Sequence, residues 1–375
     1  MNRIAAGLCV LSACMLRLYA QGPAPSEGTA SWNPKAAATY LDDRMSWWMT
    51  WKSAARDHDT FCISCHTAAP YAMSRASLHS DLGEAGASAN ERKVLDNVLK
   101  RVRLWKEVEP FYPDDKRGTP KTAESRGTES IFNALILVGY DAPTARLSAD
   151  ARMALENMWA EQVKTGDAKG AWSWLQFHNS PWEGDSQYYG AALAALAIGT
   201  APGNYRAAPE IQDGIEALRE YLKRERDSQI LINRMVLLWA SAKLPGLLTR
   251  DEQKAIIDEA ISKQQADGGF SLSSFVGGWK RADGTALETK SDGYATGVVA
   301  LAIEQAGAGR AMPELKRALA WLNRNQDPTE GRWFAYSLNK KRDLSTDVGR
   351  FMSDAATAYA VLALEGGNGL LTAHK

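Results

Sequence analysis

The sequence predicts an all-α protein built from about six helical hairpins. One pattern recurs along the chain at about 40 to 60 residues: an amphipathic helix, a loop containing Gly and Trp, and a helix rich in small residues. The 375-residue chain is 45% hydrophobic, enough for a packed core, and its 13 Trp exceed its 8 Phe, as a repeated aromatic loop would require. Charged residues make up only 23% of the chain, so a disordered protein is excluded.

The repeat is clear in three copies and weaker in three others. The clear copies are 154–198, 256–302 and 318–364, and the weaker ones are 36–78, 93–139 and 212–247. One hairpin cannot bury both of its faces, so neighbouring copies must stack and share a core. A closed ring and an open superhelix both fit this period.

The second helix of each clear copy is suited to an inner position. The run 190–196, Gly-Ala-Ala-Leu-Ala-Ala-Leu, lets neighbouring helices approach closely on both sides. Asp185, Asp292 and Asp354 stand before or at the start of these helices. A carboxylate there caps or complements a helix N-terminus.

The loops between the helices carry a family resemblance. Gln162 and Trp172 in one copy, and Gln326 and Trp333 in another, precede Ala-rich helices that begin near an Asp. This arrangement resembles the repeats of the squalene–hopene cyclase and protein prenyltransferase β-subunit superfamily, over about residues 36–366. The resemblance implies an α/α toroid of two concentric helix rings, so we assign 36–370 to one toroidal domain.

The same resemblance implies roles for individual residues. It makes Gln162, Trp172, Gln326 and Trp333 structural residues that tie neighbouring hairpins together. It also implies an apolar, aromatic-lined central cavity suited to an isoprenoid-like ligand. The helix-start and cavity candidates are Asp185, Tyr188, Asp292, Tyr294 and Asp354.

The chain departs from that family where catalysis would need it. No copy carries the Asp-x-Asp-Asp cluster with which the cyclases protonate their substrate. The Asp, Cys and His zinc ligands of the prenyltransferases are missing from the downstream copies. Neither chemistry is supported, and a cyclase would have to use Asp185, Asp292 or Asp354 as its acid.

One motif indicates specific chemistry. Cys62-Ile63-Ser64-Cys65-His66 has the Cys-x-x-Cys-His spacing of covalent c-type haem attachment. Two thiols about one turn apart can each form a thioether with the porphyrin edge, and the adjacent imidazole then ligates the iron. We therefore predict haem c on Cys62 and Cys65, with His66 as the proximal iron ligand.

Three other interpretations of the motif stay open. Cys62 and Cys65 can form a disulfide in an oxidising compartment, and His58 can join Cys62, Cys65 and His66 in a zinc site. The third is coincidence.

The second axial ligand is less defined by the sequence. Met73 lies about two helical turns beyond His66 on the same face, badly placed to reach the other side of the ring. His178, in a loop of another copy, is the candidate. An open sixth position would favour binding of a small ligand instead.

The first 20 residues predict export. Arg3 followed by an apolar run and the small residue Ala20 is typical of a signal peptide over 1–20, with 21–35 as a flexible lead into the fold. The alternative is a lipobox ending at Cys14, which would make the protein a lipoprotein. Either way we expect a periplasmic or secreted protein, and no other apolar run is long enough to predict a transmembrane span.

These observations lead to three functional hypotheses. The first is an exported c-type haem protein that exchanges electrons with a redox partner or with a hydrophobic molecule in the toroid; as an enzyme it would be a haem-dependent oxidoreductase. The second is a non-catalytic lipid- or isoprenoid-binding scaffold with a structural cysteine pair, and the third is a terpenoid cyclase lacking the acidic cluster. The balance of 44 Lys+Arg against 44 Asp+Glu argues against a nucleic-acid partner.

Overall fold

A computed structural model of the chain describes residues 31–177 and 186–366. Six outer helices alternate with six inner helices along the chain in these ranges. The outer helices are α1 (Pro34–Thr50), α4 (Ala89–Arg103), α7 (Ala149–Ala160), α9 (Gln212–Glu225), α11 (Arg250–Ile261) and α13 (Pro313–Arg324). The inner helices are α2 (Ala68–Ser74), α6 (Lys121–Asp141), α8 (Gln187–Thr200), α10 (Leu231–Ser241), α12 (Gly293–Gln305) and α14 (Phe351–Leu364).

Short elements complete the connections. The helices α3 (His79–Leu82) and α5 (Asp114–Arg117) have four residues each. Strands β1 (Ala55–Arg56) and β2 (Thr60–Phe61) form an antiparallel ribbon in which Ala55 lies opposite Phe61. Single 3₁₀ turns cover Arg75–Leu78, Ala142–Thr144, Tyr205–Ala207, Pro209–Ile211, Arg226–Ser228, Leu272–Phe275 and Val348–Arg350.

The inner helices form a closed ring. Each packs on the next, in the order α2, α6, α8, α10, α12, α14, and α14 packs back on α2 and on α1. Each outer helix packs against the inner ring. The predicted α/α toroid of about six hairpins is confirmed, and the open superhelix is excluded because the last hairpin contacts the first.

The two rings differ because their sequences differ. On the outer helix α13 the buried residues are Leu315, Ala318, Trp321 and Leu322, the spacing of one helix face. The inner helices α12 and α14 are buried almost all round. Gly297 permits their contact, because a Cβ there would lie 2.8 Å from backbone atoms of Tyr359 and Ala360.

The repeat glutamines and tryptophans connect the hairpins. The Gln162 side-chain amide donates to the carbonyls of Gly170, at 3.1 Å, and of Gly214 in the next hairpin, at 2.9 Å. The Gln326 amide donates to Asn33 O at 3.0 Å, and its carbonyl accepts from Asn33 N, so it links the last hairpin to the first. The indoles of Trp172 and Trp333 are fully buried and donate to carbonyls of the preceding outer helices, at Met158 and Leu322.

No helix in the described ranges has the length and hydropathy that a bilayer crossing requires.

Candidate functional site

The Cys-x-x-Cys-His motif lies in the turn that leads from β2 into the inner helix α2. Ser64 organises this turn, because its hydroxyl oxygen accepts hydrogen bonds from the backbone N–H groups of Thr67, at 3.2 Å, and Ala68, at 3.0 Å. The carbonyl of Cys62 accepts from the Trp48 indole at 2.7 Å, which ties the turn to α1. The motif therefore has a defined position at the start of the ring's shortest inner helix.

A cavity of about 530 Å³ opens beside the motif. Its lining residues come from the end of α1 and from segments that precede or begin the inner helices α2, α6, α8 and α14, so it occupies the mouth of the toroid at that end. They are Trp48, Trp51, Ser53, His66, Tyr112, Arg117, Phe177, Ser337, Leu338, Asn339, Arg342, Phe351 and Met352. A volume of this size is within the range of small-molecule and cofactor sites, about 300 to 1,000 Å³.

His66 is held in this wall by two aromatic rings. Its imidazole stacks on Phe351 with ring centroids 3.8 Å apart, and it meets the edge of Trp48 at 5.2 Å. Trp51 stacks on Trp47 beside them. The imidazole therefore has one fixed orientation and a largely apolar surround.

A hydrogen-bonded chain sets the tautomer of His66. Asp354 is buried and ion-paired with Arg44 at 2.7 Å, and it accepts the hydroxyl of Tyr40 at 2.7 Å. The Thr67 hydroxyl donates its hydrogen to the same carboxylate at 2.7 Å, so its oxygen must act as the acceptor toward His66 Nδ1, which lies 2.8 Å away. The hydrogen of a neutral imidazole therefore sits on Nδ1, and Nε2 keeps its lone pair.

The charge state of His66 agrees with that assignment. Burial, followed by the nearby Arg44 and Arg342 guanidinium groups, lowers the pKa of His66 to about 3. Burial also raises the pKa of Asp354, but Arg44, Thr67 and Tyr40 oppose that rise by donating to the carboxylate. The imidazole is thus neutral at physiological pH, the form that ligates metals.

Two cations face the same cavity. Arg117 and Arg342 are both among the described residues that line it, and these lining residues include no Asp, Glu or Lys. The cavity therefore combines a neutral imidazole, aromatic walls and two guanidinium groups. That combination suits a planar ligand that carries negative charge at its edge.

The two thiols lie beneath the cavity wall. Cys62 and Cys65 are 4% and 6% exposed, and neither is among the cavity-lining residues. The structure holds both as thiols. Cys65 lies within electrostatic range of Tyr189, Tyr294 and Tyr359, whose pKa values are raised first by burial and also by that thiol.

The residues fit a c-type haem in their donor chemistry. His66 could ligate iron through Nε2, the aromatic walls suit a porphyrin, and the arginines suit its two carboxylates. Cys62 and Cys65 are separated by two residues in the chain, and neither lines the cavity, so both would have to turn toward it before they could react.

Other sequence candidates lie in the core instead of the cavity wall. The Tyr188 hydroxyl donates to Leu222 O at 2.9 Å, facing the outer helix α9. Tyr294 packs edge-on against Tyr359 at 5.5 Å, and the Tyr359 hydroxyl lies 3.3 Å from that of Tyr189. Tyr189, Tyr294 and Tyr359, each at most 2% exposed, fill space between inner helices that the family resemblance assigned to a ligand. His178 and Asp185 lie outside the described residues.

Asp292 serves as a helix cap. Its two carboxylate oxygens accept from the backbone N–H groups of Ala295, at 2.9 Å, and Leu272, at 2.6 Å. Burial raises its pKa to about 7. The side chain does not line the described cavity, so its carboxyl is not placed to protonate a ligand there.

The four-residue zinc site predicted as an alternative does not assemble in the described part of the chain. His58 lies on the exposed β1–β2 turn, where its Nδ1 contacts Asp57 at 2.8 Å. Its side chain and those of Cys62, Cys65 and His66 do not bring three ligand atoms within reach of one ion. His58 is held on this exposed turn by its neighbour Asp57, whereas Cys62 and Cys65 are buried.

The residues that position His66 were not predictable from the local sequence. Thr67 follows the motif directly, but its role depends on Asp354, which is 287 positions away. Arg44 and Phe351 likewise come from the first and last hairpins. Only ring closure brings them together, so no local pattern could have shown them.

Comparison with known proteins supports the fold. No protein-family model matches the sequence, and no curated protein matches it. An unsaturated glucuronyl hydrolase variant, solved with dGlcA-Glc-Rha-Glc, is similar at a TM-score of 0.54 and 11% identity, covering 90% of this chain and 98% of that one. A glycosidase in complex with glucose has a TM-score of 0.47 and 12% identity, covering 89% of this chain and 98% of that one. ent-Copalyl diphosphate synthase from Streptomyces platensis has a TM-score of 0.30 and 13% identity, covering 90% of this chain and 50% of that one. The likeness to the glucuronyl hydrolase, at 11% identity, establishes a toroid-like helical fold alone.

Proposed function

We propose that this protein carries one covalent haem c at the mouth of its toroid and serves in electron transfer outside the cytoplasm. The observation that carries the proposal is the chain from Asp354 through Thr67 to His66, which leaves Nε2 with its lone pair. Iron-ligating histidines characteristically donate their other ring N–H to such a partner. A haem c would supply a reversible one-electron change at iron.

The chain's own residues would bind and shield the group. Cys62 and Cys65 would hold the group through two thioethers, and His66 would ligate its iron. Each thioether would come from addition of S–H across a vinyl group, sulfur to one carbon and hydrogen to the other, so the attachment would be redox-neutral. Trp48, Trp51 and Phe351 exclude water, which favours the less charged reduced state.

The arginines of the cavity have a defined task in this proposal. Arg117 and Arg342 bring two positive charges to a cavity whose described lining residues include no carboxylate. Haem carries two propionates, and guanidinium groups pair with carboxylates in a planar, two-point geometry. Arg117 and Arg342 would therefore pair with the propionates of a haem bound in this cavity.

Burial of the thiols sets an order of events. Cys62 and Cys65 are 4% and 6% exposed and lie outside the cavity lining, so a thioether to a haem in the cavity would require both side chains to turn toward it. That rearrangement is easiest before α2 docks between α6 and α14, so attachment would precede docking. This order requires export of an unfolded chain, in keeping with residues 1–20 as a signal peptide or with a lipid anchor at Cys14.

A second candidate function rests on the same burial. Two cysteines with almost no exposure are also what a structural pair would show, in a scaffold that binds a lipid or isoprenoid. In that case the cavity holds a hydrophobic molecule and the protein is colourless.

Absorption spectroscopy separates the two candidates. We expect protein exported by a host with cytochrome c maturation to show a Soret band and a pyridine haemochrome of the thioether type. Cys65→Ser should abolish double attachment, whereas His58→Ala, which changes the nearby exposed histidine, should leave the spectrum intact. A colourless, folded wild-type protein from that host would exclude the haem proposal.

A further inference from the structure

A second group of metal-binding side chains lies away from the cavity. His79 and Glu84 follow the C-terminal end of α2, and Glu91 is in the first turn of α4. The cavity adjoins the opposite, N-terminal end of α2. One ligand atom from each residue lies within 4.8 Å of the other two.

The contacts within the group are close. His79 Nε2 lies 2.9 Å from Glu91 Oε2 and 3.8 Å from Glu84 Oε2. These three residues come from two consecutive hairpins. An ion held among them would join the two hairpins.

The carboxylate of Glu91 is buried and only partly hydrogen-bonded. Its side chain is only 1% exposed, and Oε2 already accepts the backbone N–H of Ser88 at 2.7 Å besides facing His79. The other oxygen of this carboxylate, Oε1, is buried and makes no hydrogen bond within the described residues. A buried carboxylate oxygen without a donor costs free energy unless something else satisfies it.

The charge balance favours a cation. Within the described residues Arg75 contacts this group: its guanidinium donates to both Glu84 oxygens, each at 2.8 Å, and reaches Asp42 at 3.1 Å and Glu91 at 3.9 Å. Three carboxylates against one guanidinium give a formal charge of −3 + 1 = −2 around Arg75. One divalent cation would cancel that charge.

We propose that His79, Glu84 and Glu91 form a zinc site. One imidazole nitrogen and two carboxylates are a ligand set that Zn²⁺ accepts, with water as the fourth ligand. The side chains of His79 and Glu84 are 23% and 30% exposed, which leaves a path for the ion and room for that water. Arg75 keeps Asp42 as its partner when Glu84 turns to the metal.

The site acts on the connection between the first two hairpins. α2 has only seven residues, and the segment that follows it contains Gly83 and Gly86. Zinc would hold that segment against the start of α4. Because the ion binds only the folded arrangement, it stabilises the protein in proportion to its concentration over its dissociation constant.

Equilibrium dialysis of the metal-stripped full-length protein against ZnCl₂, followed by elemental analysis, tests the site. We expect one bound zinc per chain and a rise in melting temperature with added ZnCl₂. His79→Ala and Glu84→Gln should each weaken binding by about tenfold or more, since even outer partners of metal ligands cost 10- to 100-fold. The matched control His58→Ala, which removes an exposed histidine, should bind as the wild type does.

A Cys65→Ser variant distinguishes this site from the cysteine motif. Zinc binding that persists in Cys65→Ser and weakens in His79→Ala supports the proposal, whether or not haem is attached. No stoichiometric binding, wild-type affinity in His79→Ala, or loss only in Cys65→Ser would overturn it. Circular dichroism of each variant shows that a loss of binding is not a loss of fold.

Discussion

Thr67 is the residue through which the rest of the ring acts on His66. Its hydroxyl hydrogen is committed to Asp354 and its oxygen accepts from Nδ1. A side chain of the same shape without the hydroxyl would leave Nδ1–H without that acceptor. The imidazole would then be a weaker donor to iron.

If the proposed haem is attached, Thr67→Val should therefore raise its midpoint potential. One hydrogen bond is worth about 0.5 to 1.5 kcal/mol, which corresponds to about 20 to 65 mV for one electron. Spectroelectrochemical titration measures the shift, with Thr39→Val as the control because the Thr39 hydroxyl bonds only a carbonyl of its own helix. An unchanged potential in Thr67→Val would mean that Thr67 does not position the ligand.

Asp292, the buried N-cap of α12, makes the stability of the protein depend on pH. Burial raises its pKa from 3.8 to about 7 in the folded protein. Between about pH 4 and pH 7 the unfolded chain has released this proton while the folded chain retains it. The contribution of Asp292 to the free energy of unfolding is therefore fully present at low pH. It falls as the pH rises through that window and is constant above it.

Asp292→Asn should remove this part of the pH dependence. Three pKa units correspond to about 4 kcal/mol as an upper limit, and the amide still caps α12. Urea unfolding at pH 5 and pH 8 should show a smaller loss of stability in the variant than in the wild type. Asp343→Asn is the control, because the exposed Asp343 carboxylate has a lowered pKa and is ionised throughout that range. Equal losses of unfolding free energy between pH 5 and pH 8 in the wild type and in Asp292→Asn would contradict the raised pKa of Asp292.

The contact between α12 and α14 depends on one glycine. A Cβ at Gly297 would lie 2.8 Å from backbone atoms of α14, which cannot move aside as a flexible side chain could. Gly297→Ala should destabilise the fold by about 1 to 3 kcal/mol, the usual cost of overpacking. Urea denaturation measures this loss of unfolding free energy, with Gly309→Ala as the control because a Cβ there meets nothing within 4 Å. Equal stabilities of the two variants would show that α12 and α14 can move apart without cost.

For the whole molecule, ring closure is what assembles the site. Asp354 and Phe351 belong to the last hairpin, and Arg44, Trp48 and His66 to the first. Gln326 and Asn33 connect the same two hairpins at the N-terminal end of α1. A chain that left this seam open would retain its helices and lose the environment of His66.

The sequence predicted the helices better than the site. Runs such as 190–196 are apolar on every face, which is typical of an inner helix, so the inner position of such helices was predictable from composition. The cavity candidates Tyr188 and Tyr294 were placed by resemblance, but the Tyr188 hydroxyl faces the outer helix α9 and Tyr294 packs between inner helices. Thr67 and Trp48 are near His66 in the chain, but Asp354 lies 287 positions from Thr67. A periodic pattern carries no information about contacts at that separation.

The mass of the exported protein, measured under denaturing conditions, shows whether a haem is covalently attached. We expect a chain that has lost its first 20 residues, or is lipidated at Cys14, and that is heavier by one haem which denaturation does not remove. The mass of the bare polypeptide, together with a native circular dichroism spectrum, would contradict it.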